Sequence, residues 1–202
     1  MIFLLLHGET EWNRRHRFQG RLDSPLTPHG MQQAHQAGKT LSLLIEDLSK
    51  CRIVSSPLGR ARQTAEIVCT ALSVSLDHLT LDPRLMEIDL GSWAGLTRDE
   101  VEAKWPRPLD GATRYDWYFR SPDGEALDTA AARLGEWLAD IERASETTIT
   151  ISHGVASRIL RGLYTNLPIQ QALSLQISRD VIFKLADGCT ERIPCRPTKL
   201  HP

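Results

Sequence analysis

The segment Ile2-Phe3-Leu4-Leu5-Leu6-His7-Gly8-Glu9-Thr10 decides the fold, because an apolar run of strand length ends here in a histidine and a glycine. A continuous apolar run is typical of a strand that is covered on both faces. A second strand-like run, Thr147–Ser152, also ends in a histidine and a glycine, His153-Gly154. Histidines at two strand ends predict one shared site, and the small and polar residues after His7 are suited to holding an anion.

The stretches around these strands have helical periodicity. Apolar residues at spacings of three and four predict helices over residues 28–50, from Ser56-Pro57 onward, over 125–144 and over 155–165. Short apolar runs at 52–55 and 181–185 predict further strands. This alternation predicts an α/β fold, a three-layer sandwich in which helices flank a mostly parallel central sheet.

The domain organisation follows from the same pattern. We expect a single domain over residues 1–202, with an insertion or lid at about 96–124, where turn residues and tryptophan are frequent. Within that insertion we expect short helical pieces around 97–105 and 114–119. The prolines from Ile193 onward predict a poorly ordered tail.

Composition excludes several classes of partner. With a net charge of −1, the chain has no global field that would attract nucleic acid or an anionic membrane. The four cysteines show no CxxC spacing and lie far from any cluster of metal ligands, so we expect free thiols and no metal. No apolar segment has the length of a membrane span. We therefore expect a cytoplasmic protein without nucleic-acid or membrane partners.

Chemically functional residues follow three of the predicted strands. His7 follows the first, Ser55-Ser56-Pro57 and then Arg60 follow the second, and His153 follows the run at 147–152. Ligands of open α/β sheets bind beyond the carboxyl ends of the strands. A pocket with two imidazoles, a guanidinium and a helix N-terminus would suit a phosphoryl group.

These motifs occur in an order that resembles the histidine phosphatase superfamily, in its phosphoglycerate-mutase-like branch. The resemblance covers most of the chain. It rests on the segments His7-Gly8-Glu9-Thr10-Glu11-Trp12-Asn13, Arg17-Phe18-Gln19-Gly20, Asp23-Ser24-Pro25-Leu26-Thr27, Ser55-Ser56-Pro57-Leu58-Gly59-Arg60-Ala61, Glu87 to Gly95, and Ser152-His153-Gly154.

The resemblance implies a role for each site residue. His7 would attack phosphorus and form a phosphohistidine, and Arg60 and His153 would hold the phosphoryl oxygens. Glu87 would be the general acid for the leaving oxygen and then the base for water. No cofactor and no metal is implied. The residues implied to bind phosphate or substrate are Gly8, Asn13, Arg17, Gln19, Gly20 and Gly154.

One position departs from the family pattern, because Leu6 stands where the family has an arginine before the nucleophilic histidine. Losing one charge-stabilising donor costs about 10²- to 10³-fold in rate, so we expect Leu6 to weaken the enzyme. Arg14, Arg15 or Arg21 in the following loop could compensate. Arg17 matches a family position and does not count as a replacement.

Three functions remain open from the sequence. The preferred one is a phosphatase acting on a small phosphorylated metabolite. The alternatives are a degenerate member that binds phosphorylated ligands or inorganic phosphate with little turnover, and a phosphoglycerate mutase. A homodimer is also left open. Specificity is expected from aromatic residues of the insertion, which either form a wall of the site or pack the lid: Trp105, Tyr115, Trp117, Tyr118 and Phe119.

Overall fold

A six-stranded sheet lies at the centre of the computed structural model, which describes residues 1–105, 107–113, 115–144 and 146–195. The strands are β1 (Ile2–Leu6), β2 (Cys51–Ser55), β3 (Leu79–Leu81), β4 (Thr147–Ser152), β5 (Val181–Ala186) and β6 (Cys189–Pro194). Their order is β3-β2-β4-β1-β5-β6. The first four strands are parallel, whereas β5 is antiparallel to β1 and β6 is antiparallel to β5. The prediction of a mostly parallel sheet is confirmed.

The described residues include the α-helices α1 (Glu11–Arg14), α2 (Pro28–Leu44), α3 (Gly59–Leu72), α4 (Arg98–Lys104), α5 (Leu127–Ala144), α6 (Gly154–Tyr164) and α7 (Ile169–Ser174). Short 3-10 helices complete the connections. Helix α2 begins where the sequence predicts, because the Thr27 side chain accepts a hydrogen bond from the Gly30 amide and Pro28 occupies the first turn. Among the described residues, no helix is both long and apolar enough to span a membrane.

The side chains of β1 alternate between two hydrophobic clusters, which creates the three layers. Ile2, Leu4 and Leu6 belong to a cluster that includes residues of α5 and α6. Phe3 and Leu5 belong to a second cluster that includes residues of α2 and α3. Because successive side chains of a strand point to opposite faces, β1 is covered on both sides. The predicted three-layer sandwich is therefore correct.

Several predicted boundaries are wrong. The helix predicted over 28–50 ends at Leu44, and Leu48–Lys50 is a separate 3-10 turn. The helix predicted from Ser56-Pro57 begins only at Gly59. Ile193 and Pro194, predicted to begin a poorly ordered tail, belong to β6, which pairs with β5 across the turn at Asp187-Gly188. Residues 196–202 of that tail lie outside the described residues.

The segment predicted as an insertion contains little regular structure. Helix α4 matches the piece predicted at 97–105. The piece predicted at 114–119 corresponds to a 3-10 helix, Trp117–Arg120, and residue 114 lies outside the described residues. All five aromatic residues named above pack against the core, and Trp117 and Tyr118 also line a cavity that contains His7. Both expected uses of these residues are therefore observed, and Trp117 and Tyr118 serve both.

Candidate active site

The carboxyl ends of β1 and β4 bring His7 and His153 together. The two strands are parallel neighbours, and the His7 amide donates to the Ser152 carbonyl oxygen over 3.0 Å. The ring centroids of His7 and His153 are 5.2 Å apart. Both rings are buried, but only His7 lines the cavity at this edge of the sheet.

The His7 ring is held in one tautomer. Its Nδ1 lies 2.8 Å from the Gly8 carbonyl oxygen, which can only accept a hydrogen bond, so Nδ1 carries the proton and Nε2 keeps its lone pair. Burial lowers the pKa of His7 well below its ordinary value, and the positive charges of Arg60 and Arg179 lower it further. The ring is therefore a neutral imidazole at pH 7, the form that can act as a nucleophile.

Gly8 fixes this loop through close packing. A Cβ at Gly8 would lie 2.2 Å from the Gly30 carbonyl oxygen at the start of α2, so no side chain fits there. The Gly8 amide donates to the Thr64 hydroxyl over 3.0 Å, and its carbonyl orients His7. Gly8 does not line the cavity, so the structure places this predicted phosphate-binding residue behind the nucleophile.

Arg60 presents part of its guanidinium to the cavity. Its Nη1 donates to the Leu22 carbonyl oxygen and to the Asp23 carboxylate, and its Nη2 donates to the Gly20 carbonyl oxygen. The buried Nε has no hydrogen-bond partner among the described residues. Because a guanidinium has five N–H donors, the donors left at Nε and Nη2 form a fork that matches two phosphoryl oxygens.

A hydrogen bond to Ser56 holds the ring of His153 in position. Its Nε2 lies 2.7 Å from the Ser56 hydroxyl oxygen, and that oxygen also accepts a hydrogen bond from the Leu58 amide. Because a hydroxyl oxygen has two lone pairs, Ser56 can either accept from Nε2 or donate to it, and the tautomer of His153 follows from that choice. The Nδ1 of His153 has no partner among the described residues. Burial chiefly lowers the pKa of His153, so the ring is a neutral imidazole.

Glu87 is held at the N-terminus of α6. Its carboxylate accepts hydrogen bonds from the Val155 amide at 3.1 Å and from the Ala156 amide at 3.0 Å. Arg133 of α5 supports the backbone here, because it donates to the carbonyl oxygens of Met86 and Glu87. These contacts fix the carboxyl group on the cavity wall, near the carboxyl end of β4, where α6 begins.

Most of the other predicted binding residues line the same cavity, whose volume is about 180 Å³. The Asn13 amide oxygen accepts from the Thr10 amide, so its NH₂ group is left as a donor. Arg17, in contrast, pairs with Glu100 through both terminal nitrogens, over 2.8 and 3.0 Å. Its charge is therefore already partly neutralised. The remaining predicted residues on the cavity wall are Gln19, Gly20 and Gly154.

Leu6 brings no charge to this site. Its side chain is buried in the cluster that contains Ile88 and Val155, and it does not line the cavity. Of the arginines considered as replacements, Arg14 pairs with Glu11 and Arg21 pairs with Asp89 and Glu125. Neither these two nor Arg15 lines the cavity. The compensation that the sequence left open for these arginines is therefore not observed.

Sequence reasoning missed two arginines of the cavity, Arg158 and Arg179. Arg158 lies one helical turn after Gly154 on α6, a spacing that could have indicated it. Arg179 precedes β5, which is antiparallel to β1. The first residues of an antiparallel strand lie at the same edge as the last residues of its parallel neighbours, so knowing the direction of β5 would have indicated Arg179.

No group of three or more metal-ligating side chains that could hold a metal ion occurs within the part of the chain that the structure describes. The cavity instead contains arginines, His7 and one carboxylate, Glu87. This set of side chains suits an anion.

The chain is similar in sequence and fold to known proteins. The family model described as histidine phosphatase superfamily (branch 1) matches residues 2–185. A protein of Citrobacter koseri named "Probable phosphoglycerate mutase GpmB" is 37% identical over 172 residues, which cover 83% of this chain and 75% of that protein.

Two solved structures share the fold. YhfR of Bacillus stearothermophilus has a TM-score of 0.78 and 31% identity, covering 96% of this chain and 95% of its own. The mycobacterial glucosyl-3-phosphoglycerate phosphatase Rv2419c, solved with VO3, has a TM-score of 0.75 and 27% identity, covering 91% of this chain and 90% of its own.

Proposed function

The chain belongs to the histidine phosphatase superfamily, and we propose that it is a phosphatase that hydrolyses a small phosphorylated metabolite through a phosphohistidine at His7. The observation that carries this proposal is the hydrogen bond from His7 Nδ1 to the Gly8 carbonyl oxygen. It leaves Nε2 of a neutral imidazole beside the free donors of Arg60. The imidazole itself is the nucleophile, so the step needs no metal-bound water.

The reaction proceeds in two displacements. His7 Nε2 donates its lone pair to phosphorus, the bond from phosphorus to the leaving oxygen breaks, and Glu87 gives that oxygen a proton. Water then attacks the phosphohistidine while the Glu87 carboxylate takes its proton. The P–N bond breaks, inorganic phosphate forms, and His7 and Glu87 return to their starting states.

The surrounding donors stabilise the charge that the transferring phosphoryl group spreads over its equatorial oxygens. Arg60 offers its Nε–H, and His153, in the tautomer that accepts from Ser56 at Nε2, offers a proton on Nδ1; neither nitrogen has a partner among the described residues. The Asn13 NH₂ group adds a neutral contact. Because these groups are already fixed by hydrogen bonds to the protein, little reorganisation is needed when the charge develops.

The substrate carries its phosphate on a small organic group that contacts aromatic side chains. The ring centroids of Trp117 and Tyr118 are 4.0 Å apart, and those of Phe18 and Trp117 are 4.4 Å apart. All three residues line the cavity beside His7. A phosphate monoester with an apolar or planar leaving group therefore fits better than a large polyanion.

Each alternative has an observation in its favour. The names of the curated relatives favour a phosphoglycerate mutase, which would keep its phosphohistidine and return the phosphate to a second acceptor. Leu6 favours a member that binds phosphate with little turnover, because it removes one motif arginine. The fixed positions of His7, Arg60, Glu87 and His153 support the phosphatase over the second alternative.

The test is hydrolysis of an aryl phosphate in the presence of a chelator, with wild-type protein and the His7→Ala variant. We expect turnover that His7→Ala abolishes while remaining folded. Release of phosphate without transfer to added 3-phosphoglycerate supports a phosphatase over a mutase. Absence of turnover, together with micromolar binding of inorganic phosphate, would overturn the proposal in favour of the binding protein.

A further inference from the structure

Arg179 differs from the other arginines that line the cavity. Arg17 pairs with Glu100, Arg60 pairs with Asp23, and Arg158 donates to the Leu175 carbonyl oxygen. Within the described ranges of the chain, Arg179 makes no ion pair. Its Nε is buried and has no hydrogen-bond partner. A half-buried guanidinium without a partner costs free energy unless an anion binds to it.

The charge of Arg179 acts on the proposed nucleophile. Arg179, Arg60 and His7 line the same cavity, and the two positive charges add to the burial that lowers the pKa of His7. Arg179 and Arg60 also repel each other, whereas the carboxylates of Glu9 and Asp180 favour the charged form of Arg179. Two guanidinium groups that line one cavity with an imidazole suit a dianion such as a phosphoryl group.

Hydrogen bonds hold the backbone at Arg179 beside the His7 loop. Gln33 accepts from the Glu9 amide over 3.0 Å and donates to the Asp180 carboxylate over 2.9 Å. The Asp180 carbonyl oxygen accepts from the Cys195 amide over 2.9 Å. The residue after Arg179 is therefore tied both to the loop that carries the nucleophile and to the end of β6. This anchoring fixes the backbone from which the Arg179 side chain reaches the cavity.

We propose that Arg179 contacts the oxygens of the transferring phosphoryl group and supplies the second guanidinium of the site, at a position where Leu6 supplies none. This inference rests on the proposed phosphatase function for its effect on turnover, but its effect on anion binding does not depend on turnover. Arg60 and Arg179 then hold the phosphoryl group from two sides while His7 attacks. No bond to Arg179 forms or breaks.

The test compares Arg179→Gln with wild type and with Arg62→Gln, a control that removes one positive charge from the exposed face of α3. We expect Arg179→Gln to lower kcat/KM for an aryl phosphate by about 10²- to 10³-fold. The acidic limb of the pH profile of kcat/KM for Arg179→Gln should move to higher pH, because removing a nearby positive charge raises the pKa of His7. Arg62→Gln should stay within about twofold of wild type.

Orthovanadate titration gives a second measurement that needs no turnover. Arg179→Gln should bind orthovanadate at least about tenfold more weakly than wild type. This change corresponds to the loss of about one hydrogen bond to a charged group. If Arg179→Gln keeps its fold, its turnover and its orthovanadate affinity within about twofold of wild type, the inference is wrong. Loss of orthovanadate affinity in a protein whose wild type does not hydrolyse esters would support Arg179 while contradicting the proposed function.

A double variant shows whether Arg179→Gln acts by removing a charge or by damaging the fold. Leu6→Arg places a guanidinium at the end of β1, and in the Arg179→Gln background it should restore orthovanadate affinity. If Leu6→Arg does not fold, Arg179→Lys serves instead. It keeps the charge without the planar fork, and should fall between Arg179→Gln and wild type in orthovanadate affinity.

Discussion

His7 and His153 face each other with ring centroids 5.2 Å apart, and each ring has one nitrogen tied to the protein. The partners of the two rings differ in kind. His7 donates through Nδ1 to a carbonyl oxygen and keeps a lone pair on Nε2, whereas His153 is held at Nε2 by the Ser56 hydroxyl, which can donate or accept. The His7 ring is therefore fixed in the tautomer that can attack, and the His153 ring is fixed in position beside it.

The two buried histidines should make stability depend on pH. Burial lowers both pKa values well below 6.5, so the unfolded chain binds protons that the folded chain does not. The two histidines therefore make their full contribution to the free energy of unfolding above about pH 6.5. This contribution is lost as the pH falls below that value. Between pH 6.5 and 5.5 the two groups should lower the free energy of unfolding by about 2 kcal/mol.

Urea unfolding at both pH values measures this dependence. His7→Gln should remove about half of the contribution, whereas His35→Gln, at an exposed position on α2, should leave the dependence unchanged. A His7→Gln variant with the same pH dependence as wild type would contradict the assignment of a neutral, buried His7.

Glu87→Gln tests the general acid and base. Glutamine keeps one of the two oxygens that accept from the α6 amides but cannot transfer the proton, so kcat/KM should fall by about 10²- to 10⁴-fold for an alkyl phosphate. The loss should be smaller for p-nitrophenyl phosphate, whose leaving oxygen needs no proton. Values of kcat/KM for both esters measure the difference, because they report the first displacement.

Glu11→Gln is the matched control for that variant, because Glu11 pairs only with exposed Arg14 outside the cavity. Its kcat should remain within about twofold of wild type. Equal losses of kcat/KM for the two esters in Glu87→Gln would argue that Glu87 only positions α6.

Ser56→Ala tests a positioning residue. Without the hydroxyl, His153 loses its hydrogen-bond partner at Nε2, which holds the ring in position. We expect kcat to fall about tenfold with little change in KM, in line with about 1.4 kcal/mol for a buried hydrogen bond. The ¹⁵N shifts of the His153 ring should show a changed balance of tautomers.

Ser157→Ala provides the comparison, since that hydroxyl is equally buried but donates within α6 to the Gly154 carbonyl oxygen. It should change neither kcat nor the His153 shifts. A single, unchanged tautomer in Ser56→Ala would refute the role assigned to Ser56.

Gly8→Ala should destabilise the fold by about 3 kcal/mol, because its Cβ would lie 2.2 Å from the Gly30 carbonyl oxygen. Gly135→Ala is the control within α5, where the nearest atom to the new Cβ is a Leu163 methyl group at 3.8 Å. It should raise stability by about 0.5 to 1 kcal/mol. Thermal unfolding of both variants measures the contrast, and equal effects would contradict the close crossing of the Gly8 and Gly30 backbones.

The hydrophobic pattern of the sequence predicted those strands whose bounds are set by neighbouring residues in the chain. The strand Thr147–Ser152 was predicted with its observed bounds, because a run rich in β-branched residues between a helix and His153 leaves little freedom. The strand Leu79–Leu81 was missed, since three residues at a sheet edge carry no periodicity. The strand Cys189–Pro194 was also missed, although Asp187-Gly188 is a hairpin signal.

The site was predictable only where residues follow parallel strands. His7, Arg60 and His153 fall into this class, and the family resemblance added Glu87. The partners that orient them were not predictable, because Gly8 acts through its backbone and Ser56 through a tertiary contact. Arg179 depends on the antiparallel direction of β5, which the sequence does not state.

The most direct test of the central claim is to trap the phosphoenzyme. Wild-type protein is mixed with an aryl phosphate, quenched within milliseconds in alkaline denaturant, digested and analysed by mass spectrometry. The proposed mechanism predicts an additional phosphoryl mass, labile to acid, on the peptide that contains His7, and its accumulation in Glu87→Gln. Turnover without any phosphorylated His7 peptide in either protein would contradict covalent catalysis at this residue.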